Sequence, residues 1–138
     1  IKVTDFIVSQ STKDIDKYSK KFSSLLWGQD MDKEEIIKYC LTLENTYKDC
    51  PFPDDFESVT MKHCKNKKWF ALLMNVNNKL YLNVKTDPNY SDILRNTYDY
   101  IIPAYHMNKE HWNTIIIDEK VDEDLVKELI EQSYQLTK

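Results

Sequence analysis

Apolar and polar positions alternate with two different periods along this chain of 138 residues, and each period predicts an element. Ile15, Tyr18, Phe22, Leu25 and Leu26 recur at helical spacing behind Thr12, a suitable N-cap, and Gly28 closes the stripe, so a helix is expected over 12–27. Asp32 and Glu35 make a capping-box-like start for a second helix with Ile36, Ile37, Cys40 and Leu41 on its buried face. Cys50-Pro51-Phe52-Pro53 breaks the chain, because proline cannot continue a helix and restricts the residue before it. The period then falls to two. Val59 and Met61 alternate with Thr60 and Lys62, Lys65-Asn66-Lys67 reads as a turn, and Lys68–Met74 is apolar on both faces, as a central strand would be. Asn77-Asn78 suits a two-residue hairpin turn, since asparagine tolerates positive φ. Beyond it Leu80, Leu82 and Val84 point to the core, while Lys79, Tyr81, Asn83 and Lys85 point away.

Asp87-Pro88 opens a short helix with proline at its first position, carrying Ile93, Leu94 and Tyr98. Ile101-Ile102-Pro103 leads into a polar, His-rich segment, and Thr114–Ile117 is a β-branched strand. Asp122 caps a last helix whose packed stripe is Leu125, Leu129, Ile130 and Tyr134. This order of elements predicts an α+β layer architecture, a mainly antiparallel sheet with helices on one face. Residues 1–28 form the least integrated part, an N-terminal helical extension or the tail of an upstream domain. Residues 29–138 form the main domain.

Composition narrows the classes. An apolar share of 41% with 30% charged residues is that of a globular chain. No apolar run approaches the roughly 18 residues of a membrane span, so no membrane partner is expected. Cys40, Cys50 and Cys64 are odd in number and irregular in spacing, which favours a reducing cytoplasm over a disulfide framework. The single glycine, Gly28, excludes phosphate-binding loops that need several, and with them nucleotide and dinucleotide cofactors of those types. The net charge of −4 argues against a polyanion ligand, but it is unevenly placed. Ser58–Lys85 holds six lysines (62, 65, 67, 68, 79 and 85) and no acid, whereas Asp118–Glu131 holds seven acids and two lysines. A local basic face matters more to a polyanion than the total.

Several motifs from Phe52 onward resemble the MmcQ/YjbR family. Pro51-Phe52-Pro53 is similar to its PFP entry, Lys68-Trp69-Phe70-Ala71-Leu72 to its K-x-F-A-L strand, and Leu82-Asn83-Val84-Lys85-Thr86-Asp87-Pro88 to its N-L-K-x-x-P. The segment Pro103–Thr114 resembles the hallmark P-G-Y-H-M-N-K-x-H-W-N-T, and Leu129-Ile130 with Ser133-Tyr134 resembles its closing L-I-x-x-S-Y. The resemblance implies a fold similar to frataxin and CyaY, a strongly curved antiparallel sheet packed on helices. It also implies a predicted DNA-binding role through a double-wing arrangement of hairpins. One departure is Ala104, which stands where the family has glycine; a backbone needing positive φ there would strain it.

The candidate binding residues fall in two groups. Lys62, Lys65, Lys67, Lys68, Tyr81 and Lys85 would form a Lys-rich hairpin face with an aromatic among the cations. Tyr105, His106, Asn108, Lys109 and His111 crowd cationic, polar and aromatic groups into the hallmark loop. The plain alternatives are a solvated strand face guarded by lysines, and a loop that satisfies its own backbone while Met107, Trp112 and Asn113 do structural work. His63, Cys64, His106 and His111 match no zinc spacing, so no metal is expected. The acids of Asp118–Glu131 read as helix-start residues and a solvated face rather than an iron surface. No nucleophile elbow accompanies the histidines, and the expectation is a non-enzyme. Three readings remain: a nucleic-acid module with DNA as the expected ligand; a domain that binds another protein or an upstream domain; and a small-ligand or metal site near His106.

Overall fold

A computed structural model describes residues 31–104, 107–118 and 120–138. The helix expected over 12–27 and the division at Gly28 lie outside the described residues. The elements in chain order are α1 (Lys33–Leu41), β1 (Thr46–Asp49), β2 (Val59–His63), β3 (Trp69–Val76), β4 (Lys79–Lys85), α2 (Pro88–Thr97), β5 (Ile101–Pro103), β6 (Trp112–Ile117) and α3 (Glu123–Thr137). The strands form one six-stranded sheet of order β1-β2-β3-β4-β6-β5, antiparallel at every pairing. This is the expected α+β class.

Local chemistry sets the element boundaries. Asp32, Asp87 and Asp122 each accept a hydrogen bond from a backbone N–H in the first turn of the helix they precede, answering donors that the helix itself cannot pair. Asn77 and Asn78 sit at φ 51° and 66°, the double positive pair that a tight hairpin between twisted strands requires. Lys67 takes φ 60° in the β2–β3 turn, where the Lys68 N–H donates to the Asn66 side chain at 2.8 Å.

One face of the sheet carries the core. Val59, Met61, Leu73, Leu82, Val84, Ile101 and Ile115 pack against Ile36, Ile37 and Cys40 of α1, Leu94 of α2, and Leu125, Val126, Leu129, Ile130 and Tyr134 of α3. The β2–β3 register shifts between Met61 and Lys62, so that Lys62 lies opposite Trp69 and Phe70 becomes an extra residue. Phe70 and Ala71 both join the helix-side core as a result, which explains why this strand reads as apolar on successive positions. Helix α3 fastens the bulge. The Ser133 hydroxyl donates to the Phe70 carbonyl at 2.6 Å and accepts from the Lys85 N–H at 2.9 Å.

Three details differ from expectation. Leu41 and Ile93 are exposed, at 43% and 60%: Leu41 is the last residue of α1, whose buried positions are Ile36, Ile37 and Cys40, and α2 buries only the narrow stripe of Ser91 and Leu94. Strands β1 and β5 carry too little hydrophobic period to have been recognised. Asn83 faces away from the helices as expected, yet it is buried rather than solvated. It belongs to a row of Thr60, Leu72, Asn83 and Thr114 across β2, β3, β4 and β6, all buried and all outside the helix-side core. Asn83 donates to the Leu72 carbonyl at 3.2 Å and accepts from the Thr114 hydroxyl.

Candidate nucleic-acid interface

Antiparallel pairing brings the β2–β3 turn, the end of β4 and the start of β6 to one end of the sheet. Lys65, Lys67 and Lys68 are exposed in that turn, Lys85 is half-buried at the end of β4, and exposed Lys109 and half-buried His111 precede β6. The remaining two hairpin lysines stand apart. Lys79 opens β4 at the opposite end, about 20 Å away at the usual rise per strand residue. Lys62 is held in a surface ion pair: its Nζ lies 2.7 Å from Asp49 Oδ2 and 5.9 Å from the Tyr47 ring centre. The pair lowers the Asp49 carboxyl and raises the Lys62 ammonium, first through their hydrogen bond. The six lysines are therefore distributed over both ends and one ion pair, not over a single uniform face. Tyr81 faces away from the helices, opposite Met74 and Ile116.

The hallmark loop is fixed from beneath. Asn113 is 1% exposed; its amide donates to the hydroxyls of Thr86 and Ser91, the latter at 2.8 Å, and its Oδ1 accepts from Arg95 Nε at 2.6 Å. Arg95 also donates to the carbonyls of Lys109 and Trp112. The Thr86 N–H donates to the His111 carbonyl at 2.8 Å, and the Ala104 N–H to the Trp112 carbonyl at 3.1 Å. The Asn108 side chain accepts from the Glu110 N–H at 2.9 Å through its Oδ1, which shapes the turn. Of the loop's described residues this leaves Asn108, Lys109 and Glu110 exposed and Met107 and His111 half-buried. Ala104 is buried and is not among the residues with positive φ, so the family's glycine is dispensable here. Tyr105 and His106 lie outside the described residues.

Arg95 was missed by sequence reasoning. It reads as an ordinary cation in the last turn of a helix, where it complements the dipole. Its rarity was the available signal: it is the only arginine in the chain. Because that guanidinium is held by the loop, bidentate arginine contacts to guanine are not open to this surface, and its contacts to a polyanion would come from lysine.

The other candidate chemistry does not converge. His63 is buried between the Phe70 and Tyr134 rings, with Nε2 2.8 Å from the Thr137 hydroxyl, and burial lowers its pKa. Cys64 next to it is exposed. Among the described residues no three His, Cys, Asp or Glu side chains gather as a metal site, and no helix is long and apolar enough to cross a membrane. Asp118 and Asp122 each accept a nearby backbone N–H, at the end of the sheet away from the lysine turn.

A family model described as YjbR matches residues 41–136. The uncharacterised protein YyaQ of Bacillus subtilis (strain 168) is 38% identical over 118 residues, covering 78% of this chain and 99% of that protein. The uncharacterised protein YjbR of Escherichia coli (strain K12) is 26% identical over 105 residues, covering 76% and 86%. A crystal structure of a Pseudomonas syringae protein superposes with a TM-score of 0.73 at 31% identity, covering 78% of this chain and 100% of that one.

Proposed function

Because the chain belongs to the YjbR family, and its relatives' names state no activity, we propose the function its own surface supports: a non-catalytic nucleic-acid-binding module, with DNA as the expected ligand. The observation that carries this reading is the gathering of Lys65, Lys67, Lys68, Lys85 and Lys109 at one end of the sheet, away from the acids around Asp118 and Asp122. Five lysines at that end, with the exposed acids Asp87 and Glu110 beside them, give a polyanion a local cluster of cations despite the net −4. The anchored loop adds support, because it holds Lys109 and His111 in place before any ligand arrives. The same proposal takes in the frataxin/CyaY-like assignment, supported by the antiparallel sheet with helices on one face, and a cytoplasmic setting, supported by three free thiols. Electrophoretic retardation of duplex and single-stranded DNA at low salt tests it. Retardation that disappears steeply with added salt is expected. No retardation of either at protein concentrations well above a weak nonspecific affinity would refute it.

A second reading has its own observation. Phe56 is 80% exposed and Phe52 39% exposed in the acidic segment between β1 and β2. Asp55 orders that segment by accepting from Glu57 N–H, Ser58 N–H and the Ser58 hydroxyl. A protruding aromatic on an ordered, acidic loop suits docking to an apolar, basic protein surface.

A further inference from the structure

The face of the sheet turned away from the helices carries a row of residues that the lysine turn alone does not explain. Tyr47 on β1 pairs with Lys62 on β2, Lys62 pairs with Trp69 on β3, and Lys85 on β4 pairs with Trp112 on β6. Residues directly opposite in an antiparallel pair share a face. On β4, Leu82 and Val84 belong to the helix-side core, so Lys85 faces the other way and Trp112 with it. The bulge at Phe70 is what turns Trp69 to this face beside Lys62. The row has two pieces of direct neighbours, Tyr47–Lys62–Trp69 across β1, β2 and β3 and Lys85–Trp112 across β4 and β6; between them the β3–β4 pairing ends at Ala71 and Val84. At the usual strand spacing the row is about 19 Å long. All five residues are half-buried, and none of the three rings is among the side chains packed on the helix-side core. The middle of the row adjoins the lysine turn, since Trp69 follows Lys68 directly.

Rings offer stacking faces that accept any base, and cations between them can meet the phosphates that connect bases. Base faces are open to such rings only when the strand is unpaired; in a duplex they are stacked on one another. The chain's only arginine is held by the loop, so the surface lacks the side chain best suited to reading duplex edges. We propose that the row Tyr47–Lys62–Trp69–Lys85–Trp112 is a stacking platform for single-stranded nucleic acid, its phosphates neutralised by Lys85 and the adjoining lysine turn. Lys62 contributes less charge than Lys85, because Asp49 already pairs with it at 2.7 Å. The proposal rests on the nucleic-acid reading given above and specifies the strand state and the contact face.

The test measures fluorescence anisotropy of a labelled oligothymidine and of a duplex of the same length, with the full chain and its variants at fixed low salt. The single strand is expected to bind more tightly than the duplex. Trp69→Ala and Trp112→Ala should each weaken single-strand binding on the order of tenfold, with the duplex affected little. Trp69→Phe and Trp112→Phe, which keep a stacking face, should recover most of it; this separates stacking from a fold defect, and thermal melts of all four variants accompany the titrations. If neither probe binds, the nucleic-acid reading itself fails and this proposal with it. If both bind equally and the ring variants leave binding unchanged while loss of the turn lysines abolishes it, the nucleic-acid reading stands and the platform is refuted. Self-association of the free protein that the alanine variants abolish would assign the face to a second copy of the chain and refute the platform as well.

Discussion

Replacing Asn113 by alanine removes the polar centre under the hallmark loop, and the structure fixes the expected size of the effect. The variant loses bonds to Thr86 and Ser91, both neutral, and one from the Arg95 guanidinium. Neutral bonds contribute about 0.5–1.5 kcal/mol each and a charged one about 1.5–3 kcal/mol, so the gross loss is about 2.5–6 kcal/mol. Two features moderate it. The Thr86 and Ser91 hydroxyls remain bonded to each other at 2.6 Å, and Arg95 keeps its contacts to the Lys109 and Trp112 carbonyls. A loss of about 3 kcal/mol follows, or on the order of 10 °C in Tm for a domain of this size. Urea unfolding with an unchanged m-value is the assay. Arg95→Ala alone and with Asn113→Ala completes a double-mutant cycle, in which coupling above about 0.5 kcal/mol is expected for groups in direct contact. A loss below about 1 kcal/mol, or strictly additive variants, would refute the claim that this network clamps the loop.

Three further outcomes follow from buried groups. Burial holds the His63 pKa below its usual 6.5, so the unfolded chain takes up a proton that the folded chain resists. Stability should therefore fall as pH drops below 6.5 and level off once the folded-state pKa is passed, and His63→Phe should flatten that fall in urea midpoints between pH 7.5 and 5.5. The Cys40 thiol is fully buried and pushed up to about 12, while Cys50 and Cys64 are exposed. A disulfide reagent at pH 8 should label Cys50 and Cys64 in the native protein and Cys40 only after denaturant is added; rapid native labelling of Cys40 would contradict its placement. Ser133→Ala leaves the Phe70 carbonyl and the Lys85 N–H without their partner, and should cost about 2–4 kcal/mol by urea unfolding, beyond the near-zero effect of a surface serine.

Elements with strong signals were legible because a short local pattern determined each. Aspartate caps began the helices, paired asparagines turned the β3–β4 hairpin, and alternation on β4 assigned its faces. Edge strands were not legible: β1 is Thr-Tyr-Lys-Asp and β5 has three residues, so neither shows a period. The bulge was hidden for a different reason. Its effect is to place Phe70 and Ala71 on one face, which in sequence looks like a strand apolar on both. The candidate site was legible in part. Lys65, Lys67, Lys68, Lys85 and Lys109 come together because turns at one end of an antiparallel sheet are neighbours, whereas the partner of Lys62, Asp49, lies on a strand that carried no signal. Asn113 and Arg95 meet across a helix and a strand, a contact no spacing rule contains.

The charge on the β2–β3 turn decides the central claim. Lys65→Gln, Lys67→Asn and Lys68→Gln together remove it, with asparagine chosen at 67 because the backbone there has φ 60°. These side chains are exposed, so the triple variant should fold as the parent does. DNA affinity is then measured against salt for both proteins. The slope of log K against log salt should become shallower by about 2–3 in the variant if each lysine neutralises a phosphate. Equal slopes for the two proteins would contradict the account.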